Sequence, residues 1–256
     1  MSSGICPMIR QWPAKPYEDA RCSLQVKPLP ERRGLRAARG EAVILTTSEP
    51  LTGLTVTKLC CVRGERQVFR DLSFHVAPGD MLSLVGPNGS GKSSLLRQLA
   101  GLLEVTDGEI NLDGAGEDQT VADVVLYAGH LDAVKAPLSV SENLSFWAAF
   151  YGVSATQVEP ALEGFGLGHL GHLPAGVLSA GQKRRLGLSR LALLDRPLWL
   201  LDEPTVSLDT ASIAALGDLM RSHLKTGGSI IAATHVDLGL EGTRVLDLSS
   251  NGGASL

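Results

Sequence analysis

Apolar and polar positions follow two rhythms between residues 54 and 248. "LTVTKLCCV" (54–62) and "QVFRDLSFHV" (67–76) alternate with period two, which predicts strands with one face buried. "MLSLVG" (81–86), "VVLYAG" (124–129), "LWLLD" (198–202) and "SIIAAT" (229–234) are short continuous apolar runs, as in strands covered on both faces. "DGEINLDG" reads as a short strand with a turn, and "TRVLDL" as one more strand. Leu95, Leu96, Leu99 and Leu102 fall on one face of a helix after the first continuous run. Ile213, Leu216, Met220 and Leu224 mark another helix, opened by Asp209. Residues 138–194 read as mostly helical segments broken by "GFGLGHLGHLPAG". Buried strands alternating with helices predict an α/β fold: a parallel sheet with helices on both faces. No internal repeat is visible.

Residues 1–50 lack either rhythm. Pro and Arg recur every few positions in "WPAKPYED" and "KPLPERRGLRAARGE", too little apolar surface to offset the entropy of ordering. This stretch reads as a disordered extension, or as a segment upstream of the start in use. Its five Asp/Glu among eight Lys/Arg argue against a transit peptide. Residues 51–250 then form the folded part, and 251–256 a tail.

Composition narrows the class. Of 256 residues 44% are hydrophobic and only 4% aromatic, so the core is aliphatic. A net charge of −4 gives no support for general nucleic-acid binding. Cys6, Cys22, Cys60 and Cys61 make no C-x-x-C pair and read as reduced thiols. No run reaches the roughly 18 apolar residues of a membrane span, and the start has no continuous apolar h-region. Any membrane association therefore has to come through a partner.

"GPNGSGKS" fits G-x-x-x-x-G-K-[ST], with an apolar strand before it and a helix after. Gly86, Pro87, Asn88, Gly89, Ser90, Gly91, Lys92, Ser93 and the following Ser94 are candidate contacts to phosphate. The glycines let backbone N–H groups turn inward, Lys92 offers a point charge to the β- and γ-phosphates, and Ser93 offers a hydroxyl to Mg²⁺. "LWLLDEPT" delivers Asp202 and Glu203 at a strand end, where two acids repel unless a cation neutralises them. Asp202 is the candidate metal ligand and Glu203 the candidate general base. "VLSAGQKRRLGLSR" puts Lys183, Arg184 and Arg185 in the first turns of a helix capped by Ser179, the wrong end for cations unless an anion arrives; the alternative is a solvated helix face, expected for at least one of the three.

In this order "GPNGSGKSSLL", "LSAGQKRR", "LLDEPTVSLD" and "AATH" resemble the nucleotide-binding subunit of ABC transporters, over residues 54–248. The resemblance implies a P-loop ATPase core with a small antiparallel β subdomain and an inserted helical subdomain at about 131–194. It also implies two copies joined head to tail around two ATP molecules. "LSAGQ" then faces the partner copy's ATP, with Ser179, Gly181 and Gln182 beside the γ-phosphate and the basic run made favourable by that anion. His235 matches the switch histidine and Asp209 the D-loop aspartate, which as helix cap can serve both roles.

Two positions depart from the family. His130 stands where a glutamine usually senses metal and transporter, so it is either a substitute ligand or a loop histidine. Arg63 stands where an aromatic ring usually stacks on adenine; it stacks on the base itself or is an exposed hairpin arginine.

"GHLDAVK", "ENLSFW" and "DEPTVSLD" resemble more narrowly the ATP-binding subunits of the cytochrome c maturation, or heme-export, transporters. That resemblance implies ATP and Mg²⁺, a peripheral place on the cytoplasmic face of a bacterial inner membrane, and integral membrane partners. It implies no direct heme contact, and His169 and His172 lack a C-x-x-C-H context. Phe146 and Trp147 either dock a membrane subunit or form the small core of the helical insert. The competing readings are another ABC importer or exporter subunit, and a soluble ABC ATPase. The 87 positions from Lys92 to Ser179 leave no room for the long insertion many soluble members carry. A non-catalytic module fits poorly, since Lys92 and Glu203 are both present.

Overall fold

A computed structural model describes residues 51–115, 119, 121–236 and 238–249. The readings for residues 1–50 and 251–256, Cys6 and Cys22 included, lie outside the described residues. In chain order the elements are β1 (Gly53–Arg63), β2 (Arg66–Val76), β3 (Met81–Val85), α1 (Lys92–Leu99), β4 (Asp107–Asp113) and α2 (Val121–Val124). They continue with β5 (Val125–Ala128), α3 (Val140–Tyr151), α4 (Val158–Gly164), α5 (Ala180–Leu188), α6 (Arg190–Leu193), β6 (Leu198–Asp202), α7 (Thr210–Lys225), β7 (Ser229–Ala233) and β8 (Arg244–Asp247).

Two sheets result. The period-two strands pair antiparallel in the order β2-β1-β4, and the continuous apolar strands form a parallel sheet in the order β5-β6-β7-β3-β8. All five residues of β6 and of β7 are buried, which explains why neither shows alternation in sequence. Leu198 and Leu200 of β6 face a core shared with α1 and the antiparallel sheet, whereas Trp199 and Leu201 face the core of α3–α7. Truncating Leu200 to alanine would cost roughly 2–5 kcal/mol, the range for a fully buried leucine.

Helix α1 is shorter than its pattern predicts. It ends at Leu99, Gly101 turns left-handed (φ 69°), and Leu102 is exposed rather than part of the apolar face. Helix α7 opens as expected: Asp209 accepts from the Ser212 N–H at 2.7 Å.

The carboxyl ends of four parallel strands carry the candidate site. The glycine loop leaves β3, Gly129 and His130 leave β5, Glu203 follows β6, and Thr234 and His235 follow β7. Ligands of open parallel sheets bind at this edge.

Candidate active site

The loop 86–91 runs from β3 into α1. Gly91 is left-handed (φ 107°), and a Cβ there would stand 2.5 Å from Val68 Cγ1 and 3.0 Å from Phe69 Cδ1. Only glycine lets the β2 strand press directly on the loop. Pro87, Asn88 and Gly89 are exposed, while Ser90 is buried with no hydrogen-bond partner for its Oγ among the described residues. Lys92 Nζ donates to the carbonyls of Gly86 (2.6 Å) and Pro87 (3.1 Å), so the ammonium lies over the loop. Ser94 pairs with the Cys61 thiol, whose pKa burial raises.

Ser93 donates its hydroxyl to Asp202 Oδ1 at 2.9 Å, joining α1 to the end of β6. A hydroxyl and a carboxylate side by side are the hard oxygen donors that suit Mg²⁺. Asp202 is 3% exposed, and the Tyr127 hydroxyl lies 3.5 Å from its other oxygen. Burial, with the nearby Asp202 charge as a smaller cause, holds the Tyr127 phenol above its ordinary pKa, so it stays a neutral donor.

Glu203 follows in a left-handed conformation (φ 49°), with its N–H bonded to Ala233 O at 2.8 Å. Its Oε1 lies 3.3 Å from His235 Nε2. Two residues singled out separately in sequence thus meet at one point, beside the metal-type pair. A carboxylate held by an imidazole, one residue beyond the aspartate that bonds the phosphate-loop Ser93, can accept a proton from water near a phosphoryl group.

The other candidates are spread more widely. Ser179 and Gln182 form a reciprocal cap on α5: Gln182 N–H donates to Ser179 Oγ (3.2 Å) and Ser179 N–H to Gln182 Oε1 (2.8 Å). Gln182 is therefore a cap residue in this chain. Ser179 is exposed, and Gly181 sits against the Ser207 carbonyl, where a Cβ would come within 2.7 Å. Asp209 is exposed, and the backbone N–H of Ser212 lowers its pKa. His130 is exposed beyond β5, and Arg63 is exposed at the tip of the β1–β2 hairpin. His169 and His172 are exposed in the loop before α5.

The basic run departs from expectation. Its cations do not stand free for an arriving anion. Lys183 Nζ donates to Gly176 O (3.2 Å), Arg185 Nη1 to Phe165 O (3.1 Å), and Arg184 turns inward and is buried. Each carries its charge to a carbonyl of its own chain. The sequence reading missed Arg184, Tyr127 and Asn143 as site-building residues; Asn143 lay in view within "ENLSFW".

A strand, a glycine turn led into a helix by lysine and serine, and two acids closing a second strand of the same parallel sheet, one strand away, define a P-loop nucleoside triphosphatase. The profile of the ABC transporter family matches residues 69–206. A curated relative, the cytochrome c biogenesis ATP-binding export protein CcmA of Bradyrhizobium diazoefficiens, is 52% identical over 188 residues, covering 73% of this chain and 94% of the relative. The protein of the same name from Ruegeria pomeroyi is 53% identical over 195 residues, with 76% and 90% covered. Among solved structures, an ATP-binding subunit of an ABC transporter superposes with a TM-score of 0.71 at 27% identity, covering 78% of this chain and 88% of that one. The fold also matches a dimeric ATP-binding cassette bound to ADP and phosphate, with a TM-score of 0.67 at 22% identity and 78% and 95% covered. The chain belongs to the ABC transporter family of ATP-binding subunits, in the group of the cytochrome c biogenesis ATP-binding export proteins.

Proposed function

We propose that the chain is the ATP-hydrolysing subunit of a transporter for cytochrome c biogenesis. The observation that carries the catalytic part is the Ser93–Asp202 hydrogen bond, which brings the phosphate loop and the two strand-end acids to one place. The glycine-loop amides and Lys92 hold the β- and γ-phosphates. Ser93 and Asp202 would hold Mg²⁺, which would supply positive charge against the phosphate oxygens. Glu203 orients the attacking water and accepts its proton as the water oxygen bonds to the γ-phosphorus and ADP departs. His235 fixes the carboxylate and reaches the γ-phosphate. The exposed tip of α5, with Ser179 and Gly181, covers the nucleotide of a second copy, and Asp209 lies at the same joint.

Among the described residues no helix is long and apolar enough to cross a membrane. The likeness to the cytochrome c biogenesis ATP-binding export proteins supports a peripheral subunit on integral membrane partners, at the cytoplasmic face of a bacterial inner membrane. Of the two aromatic candidates Trp147 packs against the core of the helical segments, whereas Phe146 is half-exposed and, with exposed Phe150 one turn on, forms the docking face of α3. Heme touches the partners rather than this chain. The test is Lys92→Ala in cells and in vitro. ATP hydrolysis and cytochrome c maturation are expected to disappear together; normal maturation would overturn the assignment.

A further inference from the structure

Arg184 sits on the second turn of α5 and is 5% exposed. Its guanidinium has five N–H groups, and each finds an acceptor. Nε donates to Pro204 O (3.3 Å), Nη2 to Asp202 O (3.2 Å) and Glu203 O (2.8 Å), and Nη1 to Gly129 O (2.8 Å) and Asp132 Oδ1 (3.0 Å). Successive residues of an extended strand face opposite ways. Here three successive carbonyls converge on one cation, which the left-handed turn at Glu203 allows. Asp132 is the one carboxylate paired with this buried charge among the described residues.

We propose that Arg184 is a positioning residue for Glu203, and that its ion pair with Asp132 makes the loop after β5 a lever on the hydrolytic carboxylate. The inference rests on the reading of Glu203 as general base. Two further observations favour a rigid lever. Gly187 lies three residues after Arg184 on α5, and a Cβ there would stand 2.9 Å from Asp132 O, so the loop rests directly on the helix backbone. Asn143 of α3 fastens the loop at its other end. Its Oδ1 accepts from Lys135 N–H (2.7 Å), and its Nδ2 donates to Lys135 O (3.0 Å), Leu138 O (3.2 Å) and Ser139 O (2.9 Å). A push on the aromatic face of α3 is thereby passed through Asn143, the loop and Asp132 to the guanidinium, and from there to the Glu203 peptide. The path is a series of hydrogen bonds joined by the chain from Asp132 to Lys135.

The test uses the full-length chain carrying Arg184→Lys, Asp132→Asn or Asp132→Glu, each checked for folding by thermal melting. Lysine keeps the charge but cannot bridge the two segments, 202–204 and 129–132, with a planar fork. Hydrolysis is read as kcat and KM, and nucleotide affinity separately with a fluorescent ATP analogue. Arg184→Lys and Asp132→Asn are expected to lower kcat at least tenfold with KM and affinity within twofold, while Asp132→Glu recovers at least half the activity. Placed in a Glu203→Gln background, Asp132→Asn is expected to cause no further loss. Unchanged kcat, a parallel loss of affinity, or full additivity with Glu203→Gln would overturn the lever. An unaltered rate in Glu203→Gln alone would instead overturn the base assignment.

Discussion

His235 Nε2 lies 3.3 Å from Glu203 Oε1, so the side chains that leave two adjacent parallel strands meet over the edge of the sheet. Replacing the carboxylate by an amide keeps the shape and removes the proton acceptor. Glu203→Gln is expected to slow hydrolysis on the order of a hundredfold or more while leaving nucleotide binding intact. ATP should then accumulate in a stable dimer, seen by light scattering after size exclusion.

Asp202 separates metal from phosphate recognition. Asp202→Asn retains a hydrogen-bond acceptor for Ser93 but loses the charge that offsets Mg²⁺. Hydrolysis with Mg²⁺ is expected to fall on the order of a hundredfold. Metal-free ATP binding, measured by fluorescence titration, should change far less.

Ser179 serves both the fold and the joint between copies. Ser179→Ala removes the acceptor for the Gln182 N–H and should lower stability by about 1 kcal/mol in denaturant unfolding. The same variant is expected to weaken ATP-driven dimerisation. A loss of stability with unchanged dimerisation would limit Ser179 to its capping role.

His223 gives the fold a dependence on acidity away from the candidate site. Its ring stacks on Trp199 with centroids 3.8 Å apart and planes 7° from parallel, and burial holds its pKa below the ordinary value. The unfolded chain takes up this proton near pH 6.5, whereas the folded chain does so only at lower pH. The stabilisation is thus complete above about pH 6.5 and is lost as pH falls below it. His223→Phe, which keeps an aromatic stack, should flatten the decline in melting temperature on that acidic side.

Much of the fold was legible because burial on one face or two leaves different apolar rhythms. β1 and β2 alternate and pair antiparallel, while β6 and β7 are apolar throughout and lie inside the parallel sheet. The end of α1 was misjudged because the apolar spacing continues to Leu102 after Gly101 has already turned the chain. The phosphate loop, Asp202 and Glu203 were legible because their chemistry requires particular side chains at fixed spacing. Arg184 was not. A basic run beside a helix start suggests an anion, but this guanidinium binds four carbonyls and one carboxylate from segments brought together only by folding. Backbone acceptors leave no residue-type signature.

The left-handed backbone at Glu203 sets activity against endurance. A side chain in that conformation is held against its own preference, at a cost of about 1 kcal/mol, whereas glycine takes it freely. Glu203→Gly should therefore yield an inert protein, and one that melts higher where the relieved strain outweighs the added freedom of the unfolded chain and the lost contact with His235. A sequence under selection for durability alone would drift toward that inert form, and only the demand for turnover keeps an acid in so uncomfortable a seat.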